Sequence, residues 1–119
     1  MAGSATLRDL DGPVAAPGHH EVVFENAQVR VVRTVIEAGD TVPLHTHLRP
    51  HLTIVLGGGH WVRRDADGVA VVDTRVEGLP ASLPAYRWTD GTPAHTLENL
   101  GDDRIELLSV ELKRDDARR

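Results

Sequence analysis

GDTVPLHTHLRPHLTIVLGG, residues 39 to 58, carries three histidines and an apolar run, with glycine at either end. His45 and His47 are separated by one residue. On a strand, residues i and i+2 project from the same face, so both imidazoles can reach one ion at about 2.0–2.2 Å. Pro50 disfavours helical backbone at Arg49, so His51 starts the next strand segment. Leu52 to Leu56 (LTIVL) is nearly continuous in apolar residues, as a strand covered on both sides should be.

Away from this stretch the texture stays that of strands. Glu21 to Glu25 is short and β-branched, and Val29 to Ile36 alternates, with Arg30 and Arg33 interrupting opposite faces. Val69 to Val72 follows the turn Asp65-Ala66-Asp67-Gly68, and Ile105 to Leu112 closes the chain. Turn signals recur at Ala38-Gly39-Asp40, Gly57-Gly58-Gly59, Asp90-Gly91 and Gly101-Asp102. No segment has a convincing helical period, so the pattern indicates an all-β sandwich or barrel. The Glu and Leu content of Ile105 to Leu112 also fits a helix. A strand is preferred, because the segment follows a Gly-Asp-Asp turn and there are no other helices to pack against.

A chain of 119 residues supports one core. It has no cysteine, which excludes a disulfide framework, a thiolate metal site and a thiol nucleophile, and fits a cytoplasmic protein. No apolar run approaches the length of a membrane span, and the first 18 residues lack the apolar centre of a signal peptide. Net charge is −5 with signs interspersed, and the basic pair Arg63-Arg64 is followed by Asp65 and Asp67. Neither a membrane nor a nucleic-acid partner is expected. Residues 1–18 read as a flexible N-terminal arm, or one ordered only on a partner; 19–113 is the folded domain and 114–119 a charged tail.

The seven histidines stand at 19, 20, 45, 47, 51, 60 and 95. His45, His47, His95 and His51 make three or four neutral nitrogen donors with room left for water, which describes an open site for one divalent transition metal. His19 and His20 end the arm and are expected to be solvated, and His60 is expected to be structural. Trp61, Trp88 and Tyr86 are expected to pack the barrel, and Glu98 to face outward if 95–99 is a strand.

These residues resemble a family. Gly39, five residues, His45, one residue, His47, three residues, His51, six residues, Gly58 is similar to the first motif of the cupins, with histidine where the family usually has glutamate. His95, three residues, Asn99, preceded by Asp90-Gly91-Thr92-Pro93-Ala94, resembles the second, with one extra residue between Gly91 and His95. The resemblance covers roughly residues 20–113. It is greatest to small single-domain cupins of the RmlC-like superfamily, including those associated with β-alanine degradation. It implies an antiparallel double-stranded β-helix, or jelly-roll barrel, with metal ligands His45, His47 and His95, and a homodimer. His51 is a fourth ligand, a catalytic base beside the metal, or a residue lining the mouth.

Replacing the glutamate by histidine leaves the ion its full +2 charge. The site should then favour anionic or enolisable oxygen ligands and acidify bound water more strongly. An all-histidine site suits iron(II), the favoured ion, or zinc, nickel or copper, with manganese a further option, over magnesium or calcium. Cupins span many chemistries, so three functions are carried forward. The leading one is a mononuclear non-haem metal enzyme, a dioxygenase acting on a small carboxylate, diketone or thiol-like molecule. The second is an oxygen-independent lyase or isomerase with His51 as base. The third is a non-enzymatic small-molecule-binding protein. Arg33 and Arg87 are candidates to hold a substrate carboxylate if either faces inward, although strand arginines more often face out.

Overall fold

Described over residues 10–113, the computed structural model has nine strands and two single-turn helices. The strands are β1 (His20–Glu25), β2 (Val29–Ile36), β3 (Thr41–His47), β4 (His51–Gly57), β5 (Trp61–Asp65), β6 (Ala70–Asp73), β7 (Ala85–Thr89), β8 (Thr92–Asn99) and β9 (Ile105–Leu112). The helices are α1 (Gly12–Ala15) and α2 (Thr74–Glu77). Five strands form one sheet in the order β1-β2-β9-β4-β7, and four form the other in the order β3-β8-β5-β6. Every strand pair is antiparallel. This is the all-β double-stranded β-helix expected from the sequence. The ambiguous C-terminal segment is a strand, β9, hydrogen-bonded on both sides between β2 and β4. A helix there would have split the sheet and left one edge of β2 and one of β4 unpaired.

Alternation explains how the barrel is filled. On β2, Val32, Thr34 and Ile36 are buried, while Arg33 lies on the outer face with Glu106. On β9, Ile105, Ser109 and Glu111 are buried, and on β4 His51, Thr53 and Val55 line the interior. Along each strand the inward residues pass from apolar to polar. Ala16, Ile36, Val42 and Ile105 make an apolar base with Trp61, Leu97 and Leu107 packed against it. Thr34, Ser109 and the histidines occupy the opposite end, the mouth. Asn99 fastens the base: its amide donates to the carbonyls of Ile36 and Asp103, and its side-chain oxygen accepts from Gly101 N–H.

From residue 10 onward, the segment read as an arm lies against the barrel of its own chain. Asp11 forms a parallel bridge with Thr46, and Thr46 N–H donates to Leu10 O at 2.7 Å. Gly12 and Ala16 are buried. Residues 1–9 and 114–119, which include the start of the arm and the tail, lie outside the described residues. Among the described residues no helix is long and apolar enough to cross a membrane.

Candidate metal centre

β3 and β8 place the centre. His45 on β3 pairs directly with His95 on β8, and the ring centroids stand 4.2 Å apart. His47, two residues along β3, has its ring 4.7 Å from that of His45 and 5.6 Å from that of His95. His51, the first residue of β4, enters from the facing sheet at 5.6 Å from His47. All four sequence-predicted histidines therefore line one cavity of about 270 Å³.

His20 joins them, against expectation. Read as a solvated end of the arm, it is instead the buried first residue of β1. Its ring lies 4.8 Å from that of His45 and 5.3 Å from that of His47. Ligand-capable atoms of His20, His45 and His47 all lie within 4.8 Å of one another, a group that could hold a metal ion. Ligands about 2.1 Å from a shared ion stand up to about 4.2 Å apart, so small side-chain adjustments close the group. The reason lies in the chain path. The single turn α1 and the bend after it fold back over β3, so β1 begins at the barrel mouth. His19, the neighbour, faces away and pairs with Asp40 at 2.8 Å.

The hydrogen bonds fix the tautomers. Nδ1 of His45 lies 2.7 Å from Pro43 O, that of His51 2.8 Å from Arg49 O, and that of His95 2.7 Å from Pro93 O. Nδ1 of His20 lies 3.0 Å from Ala16 O. A carbonyl only accepts, so each Nδ1 carries the proton and each Nε2 keeps its lone pair. Burial also favours the neutral form of His20, His45, His47 and His95. It pushes His45 down to about 3, helped by the charge of His95, and His95 down to about 4. His47 and His20 are lowered as well, burial again being the main cause. Neutral imidazoles with free Nε2 atoms are the form that binds a transition metal.

Behind His47 sits a residue the sequence reading missed. Glu111, the last inward residue of β9, is buried, and its Oε2 lies 4.0 Å from His47 Nδ1. Neither atom has a hydrogen-bond partner among the described residues. The other oxygen, Oε1, accepts from Arg30 Nε at 2.7 Å and lies 3.7 Å from Arg49. Arg30 in turn donates twice to Asp11, at 2.9 Å each. A carboxylate behind a ligating imidazole orients the ring and raises its basicity, so the two orphaned atoms fit a metal on the other side of His47.

The two candidate arginines part company. Arg33 is on the outer face, bonded to Glu106 at 2.8 Å, so it cannot reach a substrate in the barrel. Arg87 lines the cavity. Arg63, noted in the sequence only as half of a basic pair, lines it too, while its neighbour Arg64 faces out to Glu98. Glu98 is thus on the outer face, as expected. His60 is structural, its Nδ1 lying 2.9 Å from Thr74 Oγ1. Of the aromatics, Trp61 packs on the core and lines the cavity, Trp88 borders the cavity but is half exposed, and Tyr86 is exposed.

No protein-family model matches the chain, and no curated protein matches it in sequence. Solved structures do match in shape. A cupin domain from Bordetella pertussis Tohama I superposes with a TM-score of 0.64 at 16% identity, covering 79% of this chain and 91% of that one. A protein with a double-stranded β-helix domain from Klebsiella pneumoniae subsp. pneumoniae MGH 78578 gives 0.55 at 18% identity, covering 97% and 93%. An RmlC-like cupin family protein from Methanocaldococcus jannaschii gives 0.54 at 15% identity, covering 78% and 77%. Likeness at this identity speaks for the fold.

Proposed function

We propose that this small cupin domain is a mononuclear metal enzyme, dioxygenase-like with iron(II), acting on a small organic molecule that chelates the ion. The observation that carries the reading is the shared tautomer. Nδ1 of His20, His45, His51 and His95 is committed to a backbone carbonyl in each case, which leaves four Nε2 lone pairs in one cavity. His45, His47 and His95 would hold the ion, with His20 adjoining them. An iron(II) ion there would supply oxygen activation and polarise the bound substrate. The chain's part is to orient the donors, keep them neutral and limit water in the barrel. The test begins with elemental analysis of protein purified without added metal, beside His45→Ala and His95→Ala, both expected to lose it. Oxygen consumption by iron-loaded protein with carboxylates, diketones and thiols then tests the chemistry; no turnover with any metal sinks the reading.

A second reading, an oxygen-independent lyase or isomerase, is favoured by His51. It enters the cavity from the facing sheet, opposite the β3 and β8 histidines, with its Nδ1 on Arg49 O and its Nε2 lone pair free to move a proton. Turnover by zinc-loaded protein without oxygen, abolished in His51→Gln, would select it.

We also propose that the chain forms a homodimer through the outer face of its five-stranded sheet. Phe24, Val31, Val110, Leu52 and Trp88 are register partners across all five strands, an unbroken apolar row. Phe24 and Trp88, at its two ends, are 55% and 53% exposed. Such a row on an outer face favours association. Sedimentation should show a dimer that Leu52→Glu dissociates; a monomeric parent contradicts it.

A further inference from the structure

Eight arginines lie among the described residues, and six of them have a carboxylate oxygen within 4.0 Å: Arg30, Arg33, Arg49, Arg64, Arg75 and Arg104. The other two, Arg63 and Arg87, are the two that line the histidine cavity. Both guanidinium groups approach the same indole, with Arg63 Cζ 5.6 Å and Arg87 Cζ 6.0 Å from the Trp61 ring centroid. Arg63 Nε is buried and donates to no group among the described residues. Burial and the charge of Arg87 both lower Arg63 from its ordinary range, and Arg63 in turn helps push His95 down. The pair therefore sits within electrostatic reach of the histidines, its charge offset only in part by Glu77 in the adjoining chamber, which makes no ion pair with either arginine.

Arg63, with its Nε buried and unbonded, is unfavourable as a cation unless something anionic joins it, and the exposed Arg87 beside it adds to the positive charge. Among the described residues no aspartate or glutamate lines this cavity. Trp61 accounts for the positions of the guanidiniums, since an indole face holds cations, but it cannot satisfy their N–H donors. Their forked donors match the two oxygens of a carboxylate. Past Trp61 and Arg87 the space continues into a second chamber of about 530 Å³, which shares Val55, Ile105 and Leu107 with the first and is walled by Leu79, Pro80 and Leu83. The clamp thus stands where the polar mouth gives way to apolar lining.

We infer that Arg63 and Arg87 form an anion clamp, and that the molecule taken by this site is an organic acid whose carboxylate is held between them. This deepens the proposed function, in which a second donor group of the same molecule faces the histidines. The clamp itself requires no metal, which separates its test from that of the metal centre. Calorimetric titrations with sodium malonate, succinate and benzoate, each against its neutral amide, are to be run on metal-free and zinc-loaded protein. At least one acid should bind both forms, about tenfold or more tighter than its amide. Arg87→Gln and Arg63→Gln should each weaken that acid about tenfold or more in both forms, while Arg33→Gln on the outer face leaves it unchanged. Arg87 is exposed, so Arg87→Gln keeps the test valid should Arg63→Gln fold poorly. Amides binding as tightly as acids, no acid binding either form, or unchanged affinity in the arginine variants would overturn the clamp. Arginine-dependent acid binding by a protein that takes up no divalent ion would uphold the clamp and remove the metal reading. Metal uptake with arginine-independent binding would do the reverse.

Discussion

Replacing Glu111 tests the link between the buried charge network and the histidine site. The Glu111 side chain is 2% exposed and that of Arg30 13%. Glu111→Gln keeps the shape and an acceptor for Arg30 Nε but removes the charge. A hydrogen bond to a charged group contributes about 1.5–3 kcal/mol against about 1 for a neutral one, so the loss should be about 1–2 kcal/mol. Arg30 does not become an isolated buried cation, because both bonds to Asp11 remain. Glu111→Leu also removes the acceptor. Arg30 Nε–H is then left buried without a partner, and the loss should rise to about 3 kcal/mol. At about 4 °C per kcal/mol for a domain of this size, the midpoints should fall by about 4–8 °C and about 12 °C. Urea titration of metal-free protein at neutral pH, with the slope held common, measures the order directly. Divalent-ion affinity should also fall about tenfold in Glu111→Gln, because His47 loses the carboxylate behind it. Both variants within about 0.5 kcal/mol of the parent, or a leucine variant more stable than the parent, would refute the reasoning. The second result would mean that desolvating the network outweighs its attractions.

Gly12→Ala places a Cβ 2.9 Å from His47 Cε1 and 3.3 Å from the His20 ring; zinc titration should show weakened affinity with near-parental urea stability, and an unchanged titration would contradict the packing. Gly58→Ala meets Ile105 Cα at 2.8 Å from a backbone at φ +112°. Strain and overpacking together should cost about 2–4 kcal/mol in the same urea assay, and a loss under about 1 would count against it. His45 and His95 are held neutral in the fold down to about 3 and about 4 but accept protons near 6.5 once unfolded. The unfolded chain therefore binds more protons below pH 6.5, and metal-free stability, full above that value, should fall with acid by up to about 2.7 kcal/mol per pH unit toward pH 5. A flat profile from pH 7 to 5 would show that these imidazoles are not kept neutral.

How legible the molecule was in its sequence depended on where each residue's environment is set. β2 and β9 run over the residues read as strands, 29–36 and 105–112, because alternation and turn residues mark strands locally. β5, β7 and β8 were not marked in this way: WVRRD carries two arginines, AYRWT is short and mostly exposed, and TPAHTLEN holds a proline. Their pairing comes from neighbouring strands rather than from their own pattern. His45, His47, His51 and His95 were legible as a set because their spacing carries chemistry. His20 was not, because nothing local shows that β1 begins beside β3. Glu111 was hidden differently: both faces of IELLSVEL are apolar, so the sequence could not say which was inward. Arg63 fell to the same ambiguity, beside an arginine that does face solvent.

That division by environment also governs how the experiments will read. The base of the barrel is closed by Ile36, Val42, Ile105 and the Asn99 bonds, none of which involves a histidine of the site. A small zinc domain lacks such a core, and its metal affinity and folding are one quantity. Here that core is separate from the histidines, so metal-free protein should stay folded, and a metal titration should report binding rather than folding. The mouth is then free to be polar at its own cost. Neutral imidazoles stand in front of Glu111, and unpaired guanidiniums face them across the cavity. A bound ion adds further positive charge to a space already lined by cations. An anionic molecule is the occupant that relieves both, which is why acid binding and metal binding should each strengthen the other while neither is needed for the fold.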